Sequence, residues 1–247
     1  MPRLLVQFLF FGSLMLLGAA LWKKDELPQF PLLQPDLLKE PEQIQVQRAP
    51  FNTTVNGVTY KILPLYSYDL YGLVVSMHDA KTWWDYLHKE WNDHLNVMDL
   101  CVVWGNNLSR GVYKEAEYAS GQFECFVKVP TMEIYRVFDQ AALSNNHLLT
   151  DKPDIARAIR KARLGDQIHF RGHLAEYSHN HNGQPFNRGT SIVRTDTGNG
   201  ACETIFVEDF EILRPGGGPW RAIAWIALFL LAASVIAWFR LPLSANH

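Results

Sequence analysis

The chain reads as an α+β protein, mainly a small β-barrel with two helices, flanked by two transmembrane helices. Three observations predict this. Uncharged apolar runs stand near both ends of the 247 residues. Between them, short runs rich in Val, Ile, Phe and Tyr alternate with Gly and Asn clusters, as strands and turns do. Only two stretches of that middle region carry a helical period.

Composition removes other classes. Hydrophobic residues make up 48% and charged residues 19%, which is too apolar for a disordered chain. With 16 Gly and 13 Pro it is neither collagen-like nor low-complexity. A net charge of -2 argues against a nucleic-acid partner, which would demand a basic surface. Three cysteines are too few for a disulfide scaffold. No internal repeat points to a solenoid or propeller.

The apolar runs define the first and last segments. Leu4–Trp22 is about 19 residues without a charge, enough to cross a bilayer, and residues 1–22 are read as an N-terminal anchor. Its start also resembles a signal peptide, but the apolar stretch exceeds the usual signal core. Ala222–Phe239 gives about 18 more, with Trp220, Arg221, Trp238 and Arg240 at headgroup positions, so residues 220–240 form a second span. Two spans put both termini on one side of the membrane. Lys23, Lys24, Arg214 and Arg221 would draw the middle inward, but that rule weakens beyond loops of about 60 residues. The expected location is a bacterial-type inner membrane with an extracytoplasmic, periplasmic domain.

Residues 23–54 read as a proline-rich stalk, with Pro28, Pro31, Pro35, Pro41 and Pro50 favouring extended chain. Residues 55–213 form the β-rich domain, and residues 214–219 (Arg214-Pro215-Gly216-Gly217-Gly218-Pro219) form a hinge. Strands are expected at Val58–Leu65, Tyr71–Met77, Val97–Trp104, Gln122–Val129, Tyr135–Ala142, Gln167–Tyr177, Thr190–Arg194 and Cys202–Leu213. A tight turn is expected at Asp196–Gly200. Asp79 can cap a helix reaching Leu95, with Trp84, Leu87, Trp91 and Leu95 as its apolar stripe. A second helix runs from Pro153 to Leu164, with Pro153 in its first turn and Gly165 as its stop.

The segment Gly165–Leu174 resembles a barrel strand of the OB type, where a glycine lets the strand bend at a corner. The likeness lies in the C-terminal half of the central domain and covers about a third of the chain. It implies an OB-like barrel and carries no function.

No catalytic motif, cofactor motif or metal-ligand spacing stands out. His169 and His173 would lie about 13 Å apart on a straight strand. His179 and His181 sit in a polar loop and offer two ligands where zinc takes three or four. Ser144–His147 reads as a structured turn, with His147 a candidate binding residue. Arg188, Arg194 and Asp196 surround a hairpin and could meet an anionic ligand. Arg157, Arg160 and Lys161 crowd one helix face, which would dock an acidic partner or lipid headgroups. Trp83 lies off the helical stripe and suits a partner contact. Cys101 and Cys125 are candidates for a disulfide in an exported domain.

The architecture thus points to a membrane-anchored binding or assembly domain, an accessory subunit or sensor without catalysis or cofactor. Its partners would be the bilayer and a membrane protein or a second copy. The alternative is a membrane-tethered hydrolase using His147 with the His169, His173 and Asp196 region.

Overall fold

The computed structural model describes residues 2–196 and 202–241. It divides into two compact units, Met1–Glu26 with Gly216–His247, and Leu27–Pro215.

The first unit holds helices α1 (Pro2–Lys23) and α6 (Trp220–Arg240), which pack on each other. Both are long and apolar enough to cross a membrane. Length and composition fit a span and say nothing of the side. Ser13 and Ser234 turn their hydroxyls back to the carbonyls three residues earlier, at 3.0 and 2.7 Å, which satisfies them within an apolar helix.

The second unit carries strands β1 (Glu42–Gln45), β2 (Phe51–Val55), β3 (Val58–Asp79), β4 (Asn96–Val103), β5 (Glu117–Gly121), β6 (Glu124–Lys128), β7 (Leu143–Leu149), β8 (Gln167–His181), β9 (Gln184–Arg188) and β10 (Cys202–Arg214). Its short helices are α2 (Leu87–Glu90), α3 (Gly105–Ser109), α4 (Met132–Val137) and α5 (Pro153–Ile159).

The expected small OB-like barrel with two helices is corrected to a larger mixed sheet. Eight strands lie in the order β1-β3-β4-β7-β10-β8-β9, with β2 on β3 and a further β3–β8 pairing. β10 runs parallel to β7 and antiparallel to β8. The two strands expected at Val58–Leu65 and Tyr71–Met77 are one strand of 22 residues, which pairs with β8 from Lys61 to Leu73 and with β4 from Leu73 to Asp79. Gly172 answers to a contact rather than to a family pattern: a Cβ there would overlap the backbone carbonyl of Phe206 on β10.

Local expectations fail where tertiary contacts outbid local signals. The helix expected from Asp79 shrinks to Leu87–Glu90, because Asp85 and His88 turn inward. Tyr135–Ala142 is not a strand; Thr131 caps α4 instead, accepting the Ile134 N–H at 3.3 Å. Ser144–His147, read as a turn, belongs to buried β7. Thr190–Arg194 forms no strand, and the turn expected at Asp196–Gly200 lies outside the described residues beyond Asp196.

The main core joins Leu70, Leu100, Leu148, Phe170 and Ile205 with Ile155 and Ile159 of α5. The proline-rich segment packs on a neighbouring cluster. Leu37 is fully buried against residues such as Leu73 and Val103, and Gln167 holds the backbone of Leu32 and Gln34 at 2.9 and 2.7 Å. Cys101 on β4 and Cys125 on β6 are joined by a disulfide, with Cα atoms 5.8 Å apart.

Candidate functional site

β4 is buried along its whole length, so its polar side chains must find partners inside the protein. Asp99 and the Asn96 amide nitrogen do so in one connected network, while Asn96 Oδ1 has no partner among the described residues. Asp99 lies opposite His147 in the β4–β7 register. Asp99 Oδ1 accepts from His147 Nδ1 at 2.7 Å and from Asn96 Nδ2 at 2.8 Å, and Oδ2 accepts the Phe123 N–H at 2.9 Å. Burial alone would raise this carboxyl. The His147 ring and the Asn96 amide outweigh burial and hold it well below the usual carboxylate range.

His147 is fully buried, and burial, reinforced by Arg188, pushes its pKa below the ordinary value against the pull of Asp99. Its outer nitrogen, Nε2, lies 2.9 Å from Arg188 Nη2. Arginine only donates, so Nε2 accepts and the ring proton sits on Nδ1, facing Asp99. The Arg188 guanidinium lies 4.0 Å over the Phe123 ring. Phe123 sits at φ 63, a conformation that L-residues rarely adopt. Asp99 holds its N–H, and His88 and Trp91 stack on its ring.

The network continues inward. Asp85 Oδ2 meets His78 Nε2 and His88 Nδ1, each at 2.6 Å, and all three residues are buried. Asn96 Nδ2 faces His88 Nε2 at 3.0 Å, so it links this trio to Asp99. Two imidazoles and a carboxylate within 4.8 Å of one another form a donor set of the zinc type. The hydrogen bonding runs differently. The Asn96 amide donates to Nε2, which places the His88 proton on Nδ1 toward Asp85. A metal at Nδ1 would move that proton to Nε2, against the Asn96 donor.

This trio argues against the expectation of a domain without catalysis. Buried histidine–carboxylate groups of this kind are the material of catalytic or metal centres. Sequence reading passed over it because His78 lies on a strand and the others on a loop and helix. Asp85 and His88, at i and i+3, were the available signal.

Beside the network opens a cavity of about 650 Å³ lined by Phe123, Asn145, Arg188, Arg194, Cys202 and Glu203, among others. That size suits a small organic ligand. Glu203 is buried, with Oε1 on Arg194 Nη1 at 2.7 Å. Its Oε2 has no hydrogen-bond partner among the described residues. Burial raises this carboxyl to about 7, against the pull of Arg194 and the Ser144 hydroxyl. Burial likewise raises the Cys202 thiol, so it is no ready thiolate.

The structure brings Arg188, Arg194 and Asp196 to one cavity wall and sets His147 behind Arg188. It separates His169 and His173 from them. His169 bonds Asp69 at 2.9 Å, and His173 lies with Arg48 and Glu208. Arg157 on α5 and Lys161 just after it are exposed, while Arg160 lies 3.8 Å from Asp79. Trp83 is 89% exposed. None of these four lines the cavity.

No protein-family model, curated protein or solved structure matches this chain. The site therefore stands on its own geometry.

Proposed function

We propose that the chain is a membrane-tethered hydrolase whose reaction takes place in the cavity of the Leu27–Pro215 domain. The observation that carries this reading is Glu203, a buried, cavity-lining carboxyl raised to about 7, whose Oε2 has no hydrogen-bond partner among the described residues. A base poised near neutral pH can take a proton from water and later return it to a leaving group. The hydroxide so formed adds to an acyl or phosphoryl centre. Arg188 then stabilises the negative charge that develops, held in place by His147 and Asp99.

Two spanning-length helices support tethering. The Cys101–Cys125 disulfide favours the oxidising, extracytoplasmic side of the membrane.

The test is turnover of chromogenic acyl and phosphoryl esters by the purified full-length protein in mild detergent. Activity should rise with pH through about 7 and fall about 100-fold or more in Glu203→Gln. Absence of turnover across the panel, or turnover indifferent to that substitution, counts against hydrolysis.

A further inference from the structure

We propose that the cavity takes an amphiphilic anion, its carboxylate or phosphate head on Arg188 and its apolar chain along Trp91, Phe126 and Val127. The inference shares its cavity with the hydrolase reading and names the class of molecule that the cavity would accept.

The head position follows from Arg188. A guanidinium carries five N–H donors. Among the described residues, His147 Nε2 is the only acceptor bonded to it, and no carboxylate lies within ion-pairing distance. Arg194, on the same wall, differs: it is neutralised by Glu203 at 2.7 Å and also bonds Tyr68 and Gln43. A buried histidine and a buried carboxylate thus hold Arg188 in one orientation against Phe123, while its other donors meet no acceptor among the described residues. Such a fork matches the paired oxygens of a carboxylate or phosphate.

The chain position follows from the remaining walls. Phe126 and Val127 line the cavity yet are 54% and 38% exposed, and Trp91 is 38% exposed. Apolar side chains open to water beside a cationic anchor suit a ligand with an apolar body and one charged end. An anion beside Arg188 would also favour the protonated form of Glu203.

Two molecular sources share this chemistry, a membrane-derived fatty acid or lipid phosphate and a short soluble acid. The experiment is calorimetric titration of the full-length protein in nanodiscs, with empty nanodiscs as the blank. The probes are octanoate, octyl phosphate, octanol, acetate and inorganic phosphate. Octanoate and octyl phosphate should bind at least about tenfold tighter than octanol. A matching gain over acetate and inorganic phosphate points to a lipid-derived ligand. Equal affinity for the short anions denies the apolar-chain half of the proposal. Arg188→Gln should lose the preference for anions and Arg188→Lys should keep part of it, while Arg157→Gln, at an exposed residue that does not line the cavity, should not change it. Octanol binding as well as octanoate, or anion binding unchanged in folded Arg188→Gln, overturns the proposal.

The two readings separate cleanly. Glu203→Gln should abolish turnover while binding octanoate at least as tightly as the unaltered chain. Arg188-dependent binding without turnover of any ester would remove hydrolysis and leave the anion site. Turnover without anion binding would do the reverse.

Discussion

Arg188 Nη2 donates to Nε2 of His147 at 2.9 Å, joining the last residue of β9 to a fully buried ring on β7. The bond sets the histidine tautomer, and through it Asp99 becomes the support of a cationic cavity wall. A chain of buried polar groups then reaches Asn96, His88, Asp85 and His78. Polar groups buried this deeply are stable only when nearly every donor and acceptor is met, so the network should respond strongly to the loss of one member.

Asp99 is the member whose loss should be felt most. Asp99→Ala would strip the acceptor from His147, Asn96 and the Phe123 N–H together. Each buried donor left without its acceptor costs about 1–3 kcal/mol, so the loss of three together should cost several kcal/mol. Denaturant unfolding of the full-length protein should show that loss. A change below about 1 kcal/mol would mean that the network is far less coupled than its geometry implies.

Glu203 predicts a pH dependence of defined sign. Its carboxyl is raised from 4.5 to about 7, so between those values the native state keeps a proton that the unfolded chain has released. This favours folding fully below pH 4.5 and is lost as pH rises through 7. His147, lowered by burial, acts oppositely: its contribution is present above its ordinary 6.5 and is lost as pH falls through its native value. The difference between the unaltered chain and Glu203→Gln isolates the first effect. From acid to mildly basic pH, the unaltered chain should lose roughly 3 kcal/mol relative to the variant. Parallel stability–pH curves would refute the raised carboxyl.

Gly172 should not tolerate a side chain. A Cβ there would overlap the Phe206 backbone, which cannot move without disturbing the β8–β10 ladder. Gly172→Ala should destabilise by roughly 1–3 kcal/mol, read as a lower Tm. Gly183, at φ 76 with no neighbour within 4 Å of a Cβ, provides the contrast: its alanine variant should suffer only backbone strain of about 1 kcal/mol.

The Cys101–Cys125 disulfide ties core strand β4 to the β5–β6 hairpin that carries Phe123. Across a sequence separation of 24, cross-linking should contribute about 3 kcal/mol. The Cys101→Ser, Cys125→Ser double variant should unfold earlier by that amount. It should also weaken octanoate binding, because Cys125 and Phe123 both line the cavity. An unchanged unfolding midpoint would show that the hairpin is held by its other contacts.

The sequence by itself determined whatever is written in contiguous residues. Two uncharged runs become helices of spanning length, because hydropathy and length are local sums. Pro153 starts α5, and short β-branched and aromatic runs become strands such as β4 and β10, because capping and pleat-fitting act within a few residues. Arg188, Arg194 and Asp196 could be suspected of sharing a site because they lie within nine positions of one another. Tertiary structure decided the remainder. It joined two expected strands into β3, cut the Asp79 helix to one turn and buried Ser144–His147 in the sheet instead of a turn. It set His147 between Asp99 and Arg188, and Asp85 between two histidines, pairings that span up to 48 positions and depend on strand register. A polar residue in sequence carries no mark of whether its partner will be water or another strand. Only the fold, by removing the water, forces that choice.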